Sequence, residues 1–496
     1  MYFLGIDLGS SSIKLAVLDG NTGKGIAHIT VPDREMQMHA AQAGWAEQDP
    51  ESWWQYTCDG IKKLKAQGVA VDQIRAIGIS YQMHGLVLTD KNLKVLRPSI
   101  IWCDSRAASI GRDIYQDKGS AFFHSRILGS PGNFTASKLK WVQQHEPQLF
   151  EKAAYMMLPG DYLAAKFSGV AQTSKSGLSE GALWNFKKGT LATDVLEAMG
   201  LPESLIPEVV SNFGHQAEIS SEIAAELGLS KDVKITYRAG DQPNNALSLN
   251  VNEPGEIATT AGTSAVIYSV TDQDSFDPEN RVNTFLHVNN EEQQKRNGVL
   301  LCINGSGILY QWLRKTVSAG SKDLVSYEFL NEQASKVKAG SDGLRFYPFG
   351  NGVERIFNNK DATSGLQNLN FNRHETSHLV RAACEGIVFA MNYGFEIMQK
   401  IGAGGQRVKA THANLFLSPV FREIFVNTTQ TTLELYETNG AEGAARGAAY
   451  GFGHYKTLNE ANEGLSLIST QEPQKDQGKI YSDWYQTWKN NIKINE

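Results

Sequence analysis

The chain has 496 residues, 41% hydrophobic and 20% charged, with 47 Lys and Arg against 53 Asp and Glu for a formal charge of −6. At ~100–200 residues per domain this leaves room for two or three domains with ordinary cores and excludes a disordered or low-complexity chain. The mild acidity offers no footprint for nucleic acid or an anionic membrane, although a local basic pocket stays open.

Four cysteines (Cys58, Cys103, Cys302, Cys384) are scattered without a CxxC pair, so neither a disulfide framework nor a zinc module is expected. The sequence reaches Asp7 without a basic-then-apolar leader, and no apolar run approaches the ~18–20 residues that span a bilayer. A cytoplasmic protein without membrane or nucleic-acid partners is expected.

The N-terminal region predicts a β-meander: strands Tyr2–Ile6, Ile13–Leu18 and Ile26–Val31, with turns at Asp7–Ser12 and Asp19–Gly23. A helix follows, with Asp49 as N-cap, Pro50 at its first position, and Trp53, Trp54, Thr57, Ile61 and Leu64 on one side. Strands are expected at Ile74–Ser80 and Val95–Cys103, and mainly helix over 136–167. Ile235–Tyr237 reads as a strand running into Asp241. Ile257–Thr260 and Ser264–Val270 flank a second glycine turn, Ala261-Gly262-Thr263. This turn and Leu8-Gly9-Ser10-Ser11 both read strand, Gly-hydroxyl turn, strand, about half a chain apart. That pattern is consistent with an internal duplication. Farther on come a long helix Thr376–Lys400, a strand Ala413–Leu417, a helix from Pro419, a strand Leu433–Tyr436, and a Gly/Ala-rich helix Gly443–Gly453. The polar tail with Trp484 and Trp488 reads as a docking helix. The expected domains are 1–247, 248–455 and a tail 456–496.

No GxxxxGK[ST] phosphate loop is present. Gly177-Leu178-Ser179-Glu180-Gly181 matches the GxSxG elbow of serine hydrolases, but the stretch before it, Gln172–Ser176, is polar where that elbow needs a buried strand. A carboxylate at a strand end followed by Gly and hydroxyls, as at Asp7-Leu8-Gly9-Ser10-Ser11, suits a loop that holds phosphate and orients Mg²⁺; a plain hairpin cap is the other reading. Asp241 reads either as a base for an attacking hydroxyl or as a helix N-cap. His84, after a buried strand, is either a hydroxyl ligand or a satisfied core histidine. Taken together, two carboxylates and two Gly-hydroxyl turns point to metal-assisted phosphoryl transfer, where the protein's work is positioning and charge neutralisation.

Several segments resemble the FGGY carbohydrate kinases, and within them the xylulokinase branch. They are Gly5-Ile6-Asp7-Leu8-Gly9-Ser10-Ser11, Trp45-Ala46-Glu47-Gln48-Asp49-Pro50 with Trp53-Trp54, and Gln82-Met83-His84-Gly85. Leu96-Arg97-Pro98 with Trp102-Cys103-Asp104-Ser105-Arg106, Ala239-Gly240-Asp241, and Gly262-Thr263-Ser264 continue the likeness, which runs in order over roughly residues 2–453. The resemblance implies an α/β fold of two ribonuclease-H-like domains of the actin and sugar-kinase type flanking a catalytic cleft. It implies ATP-dependent phosphorylation of a ketopentose, D-xylulose to D-xylulose 5-phosphate, with ATP and Mg²⁺ as cofactors. Asp241 would be the general base and, with Asp7, would hold the metal. Met83, His84, Trp102 and Asp104 would meet the sugar, and Ser10, Ser11, Gly262 and Thr263 the nucleotide phosphates. Where the family carries a Gly-Gly-Gly-Ala run against adenosine, this chain reads Ala413-Asn414-Leu415-Phe416, so Asn414 would replace a backbone contact with a side-chain one. Another ketose or polyol as substrate, a non-catalytic sugar or nucleotide sensor, and a chaperone-type ATPase are the rival readings; a homodimer is left open.

Overall fold

The computed structural model describes residues 1–320 and 322–495. The chain forms two compact units, one of Met1–Asn252, Thr284–Asn297 and Thr438–Leu465, the other of Glu253–Asn283, Gly298–Glu437 and Ser466 onward. Residues 284–297 and 438–455, expected above within 248–455, and 456–465, expected in the tail, thus pack in the first unit.

The first unit is built on strands β1 (Tyr2–Leu8), β2 (Ile13–Asp19), β3 (Lys24–Val31), β4 (Ile74–Tyr81), β5 (Phe213–Glu218) and β6 (Lys234–Gly240), in the order β5-β6-β4-β1-β2-β3. β1, β4 and β6 run parallel, while β2, β3 and β5 pair antiparallel. Alternation along β1 divides the two faces of the sheet. Leu4, Ile6 and Leu8 join one core with Trp53, Ile61 and Leu64 of the Pro50–Ala66 helix, which Asp49 caps by accepting from Glu51 N. Phe3 belongs to a second cluster, with Ala445 and Ala448 of the Gly440–Gly451 helix.

That helix is Gly/Ala-rich because it lies directly on the strands. A Cβ on Gly78 would run into Ala444 O, and one on Gly5 into Ala441 O and, at 2.5 Å, Ala445 N. Either Gly→Ala change would force helix and sheet apart.

The second unit repeats the plan with β7 (Glu256–Ala261), β8 (Ala265–Thr271), β9 (Asn297–Ile303), β10 (Arg407–Thr411), β11 (Thr432–Glu437) and β12 (Ser466–Gln471), ordered β9-β8-β7-β10-β11-β12. Here too a hairpin brackets a glycine turn, two parallel strands follow, and an antiparallel strand closes the edge. The duplication read from the two glycine turns is therefore a duplication of topology. Its core gathers Val380, Ile387 and Met391 of the Thr376–Lys400 helix with Tyr481, Tyr485 and Trp488 of the Lys475–Lys489 helix.

Three local expectations change. Ala413–Leu417 is not a strand: β10 ends at Thr411, and Asn414, with φ 53°, opens a 3₁₀ turn (Asn414–Leu417) that sends Leu415 and Phe416 into the core. Residues 136–167 are interrupted by a strand, Tyr155–Met157, between helices that Pro147 and Pro159 begin anew. Of Val95–Cys103 only Ser99–Ile100 is a strand. Among the described residues no helix is long and apolar enough to cross a membrane.

Candidate active site

Strand register assembles the first part of the site. Asp7 stands beside Ser80 across β1 and β4, and Tyr81 beside Gly240 across β4 and β6. The carboxyl ends of the three parallel strands therefore share one edge, where open α/β sheets hold their ligands. Asp7 Oδ1 accepts from Ser80 Oγ at 2.8 Å. Asp241 is the first residue of the Asp241–Ser248 helix, with Gly240 as its N-cap. Burial, and then the charge of Asp7, push the Asp241 carboxyl up to about 7, against hydrogen bonds to Gln242 that favour the ionised form. Burial also raises Asp7, opposed by Ser80 and Lys14. Two half-buried carboxyls, both raised by burial and one of them also by the charge of the other, form a site that a divalent cation would relieve.

Met83 and His84 lie on the same edge. A Cβ on Gly240 would stand 2.6 Å from Met83 Cγ and collide with Glu180 Oε2, so Met83, Gly240 and Glu180 converge beside Asp241. The His84 ring completes a three-ring cluster with Phe134 and Phe285, at 4.6 and 5.5 Å centroid to centroid, and its Nδ1 bonds Glu180 O at 2.9 Å. A single side chain ties the segments together: Gln48 donates to Ser10 O at 2.7 Å and accepts from Gln82 Nε2 at 3.0 Å and Trp53 Nε1 at 3.3 Å. The Trp-Ala-Glu-Gln-Asp-Pro stretch thus staples the first glycine turn to Gln82-Met83-His84.

Asp104 is fully buried, and its carboxylate accepts from Arg106 Nε and Nη2 and from Ala46 N at 2.6 Å. Arg106 in turn meets Glu47 at 2.7 Å and lies over the Trp45 ring, while Glu47 also binds Arg97. Asp104 therefore belongs to a structural ion layer, with its lone pairs occupied by protein. Trp102 is 53% exposed.

In the second unit, Gly262 and Thr263 form the turn between β7 and β8. Gly307 N donates to Gly262 O at 2.9 Å and Ile308 N to Thr263 O at 3.2 Å, so a second glycine turn holds the first. Glu354, buried and pushed up to about 7, accepts from Asn304 N and Gly305 N and fixes that second turn. Asn414 Nδ2 lies 3.5 Å from the position of a Cβ on Gly262, which puts the exposed amide beside the turn. Ser10 and Ser11 occupy the first unit's turn, their carbonyls accepting from Gln48 Nε2 and Met36 N.

The sequence reading misses Glu180, Lys138, Glu354 and Gly440. Glu180 lies inside the GxSxG match, whose Ser179 Oγ is buried, donating to Ser176 O at 2.7 Å and accepting from Leu286 N at 2.9 Å; it has no nucleophile's setting. Gly440 brings its backbone against Asp7, since a Cβ there would stand 2.5 Å from Oδ2.

A curated relative, a xylulose kinase of Bacillus subtilis, is 28% identical over 469 residues, 93% of this chain and 90% of its own length. Among solved structures, a xylulose kinase from Rhodospirillum rubrum superposes with TM-score 0.87 at 22% identity, over 99% of this chain and 98% of that one. A gluconate kinase from Lactobacillus acidophilus superposes with TM-score 0.88 at 22% identity, over 99% and 97%. The shared fold alone does not choose the sugar. Residues 2–248 match the N-terminal domain of the FGGY family of carbohydrate kinases and residues 257–452 its C-terminal domain, so the chain belongs to that family.

Proposed function

We propose that this carbohydrate kinase phosphorylates a ketopentose, D-xylulose to D-xylulose 5-phosphate, with ATP as donor and Asp241 as general base. The observation that carries the reading is the gathering of Asp7, Asp241, Met83 and His84 at one sheet edge. An aspartate held near neutrality accepts a hydroxyl proton at physiological pH far better than one at its ordinary value. Asp241 takes the proton of the terminal sugar hydroxyl as its oxygen bonds the γ-phosphorus, and the bond to the β,γ-bridging oxygen breaks to release ADP. Met83 and the His84 imidazole, packed against Phe134 and Phe285, orient the sugar. Each unit's glycine turn by itself offers amides and hydroxyls to phosphate oxygens, Ser10 and Ser11 in the first unit and Gly262-Thr263 in the second.

The residues present fit Mg²⁺: Asp7 and Asp241 would hold it, with water and phosphate oxygens completing its shell. The ion would supply charge neutralisation on the transferring group. Asn414 would approach the nucleotide through its side-chain amide.

The test is ADP release over a panel of D-xylulose, L-xylulose, D-ribulose, gluconate and glycerol. Turnover stimulated most by D-xylulose is expected. Sugar-independent hydrolysis would instead indicate a chaperone-like ATPase, and sugar binding without turnover a sensor.

A further inference from the structure

His84 adopts φ 60°, the left-handed conformation, without being glycine. Such a conformation is unfavourable for a residue with a side chain and persists where surrounding contacts over-determine it. Two wholly buried ionisable residues supply those contacts. Lys138, at 0% exposure, donates from Nζ to His84 O at 2.8 Å and to Ile101 O at 2.9 Å. Glu180, at 1% exposure, reaches His84 from the other side: its backbone oxygen bonds the ring Nδ1, and its carboxyl accepts the His84 backbone N–H. A carbonyl oxygen only accepts, so this bond places the ring proton on Nδ1.

We propose that Lys138 and Glu180 form a buried clamp that positions His84, fixing its backbone, ring orientation and tautomer for the ligand. Both act through His84 and neither touches the sugar; the consequence for sugar binding rests on the reading of His84 as a sugar contact.

The electrostatics agree with a clamp held away from water. Burial lowers the Lys138 ammonium to about 7, with Asp104, then Cys103 and last Glu180 opposing the shift and Arg106 adding to it. Burial raises the Glu180 carboxyl well above its ordinary value, reinforced by Asp241 and Asp161, while bonds from Tyr81 and His84 oppose. Lys138 also joins two loops, because Ile101 leads directly into Trp102–Asp104.

The experiment uses the full chain. The His84 ring Cε1–H resonance is identified by its loss in His84→Asn, an exchange that keeps a residue tolerant of positive φ. It is then followed in Lys138→Met and Glu180→Leu, alongside calorimetric titration with D-xylulose. Lys138→Met is expected to shift the resonance and weaken D-xylulose binding about tenfold, but to cost less than about threefold in a His84→Asn background, because coupled residues are non-additive. The KM for ATP is expected to stay within about twofold.

An unmoved resonance overturns the clamp, as does the same fold-loss in both backgrounds, which a merely structural lysine would give. If Lys138→Met fails to fold, Glu180→Leu, which removes the acceptor of the His84 N–H, supplies the same readings. The resonance needs no sugar: should it shift while His84→Asn binds D-xylulose as well as wild type, the clamp stands and the sugar-contact reading of His84 falls.

Discussion

Replacing Asp241 with asparagine tests the base through stability as well as rate. Folding lifts this carboxyl from 3.8 to about 7, a shift of roughly three units at ~1.4 kcal/mol each, so its ionised form costs the folded state up to about 4 kcal/mol. A carboxyl raised on folding contributes stability fully present below its unfolded value and lost as pH climbs to the folded one. The penalty is thus absent near pH 4, grows to about pH 7, and is constant above. Asparagine keeps the shape and cannot ionise. Asp241→Asn is therefore expected to be more stable than wild type at pH 8 by about 2–4 kcal/mol, the lower figure allowing for relaxation and water. The gap should close toward pH 4, while turnover falls ~10²–10⁴-fold, as for loss of a general base. Chemical unfolding across pH 4–8 and steady-state ADP release read both effects. A variant no more stable at pH 8, or one keeping over about a tenth of wild-type turnover, refutes the reasoning.

Related outcomes follow from the same geometry. For wild type, log kcat/KM for the sugar should rise with unit slope below the Asp241 pKa, about 7 without cation and lower once Mg²⁺ neutralises the pair, so the break should move to higher pH as Mg²⁺ is made limiting; a break that ignores Mg²⁺ contradicts the shared role of Asp241. Gly440→Ala puts a methyl 2.5 Å from Asp7 Oδ2 and should lower kcat about 10–100-fold with calorimetric sugar affinity unchanged. Chelating divalent cations should abolish turnover and leave D-xylulose binding measurable, and Asp7→Asn should raise the Mg²⁺ concentration needed for half-maximal rate about tenfold. Arg238→Met leaves buried Asp161, 3.1 Å away in the native pair, without its cation; denaturant titration should show a loss of about 3–5 kcal/mol.

What was legible in the sequence is local chemistry. The two glycine turns announce themselves because Gly-hydroxyl turns between apolar strands need few neighbours, and the Asp49-Pro50 helix start carries its own capping bond. Asp7 and Asp241 could be named as carboxylates at strand ends, but only the register of β1, β4 and β6 brings those ends to one edge. Asp104 looked like a free ligand because its occupancy by Arg106 and Ala46 depends on contacts the linear pattern does not display. Lys138 and Glu180 were invisible for a related reason: a charged residue on a helix ordinarily reads as solvated surface, and burial of these two is decided by the elements around them. Asn414 shows the opposite failure, since an apolar run suggested a strand where one left-handed residue turns the backbone away.

The late return of Gly440–Gly451 to the sheet that opens the chain bears on biosynthesis. A ribosome releases β1 and β4 more than 350 residues before the helix that covers them. Until then the bare backbone at Gly5 and Gly78 stays uncapped, a nascent surface for chaperones to shelter. An excised fragment ending near residue 250 would carry that defect permanently, so proteolytic dissection at the family boundary should yield an insoluble amino-terminal piece, rescued only when Thr438–Leu465 and Thr284–Asn297 are both supplied in trans.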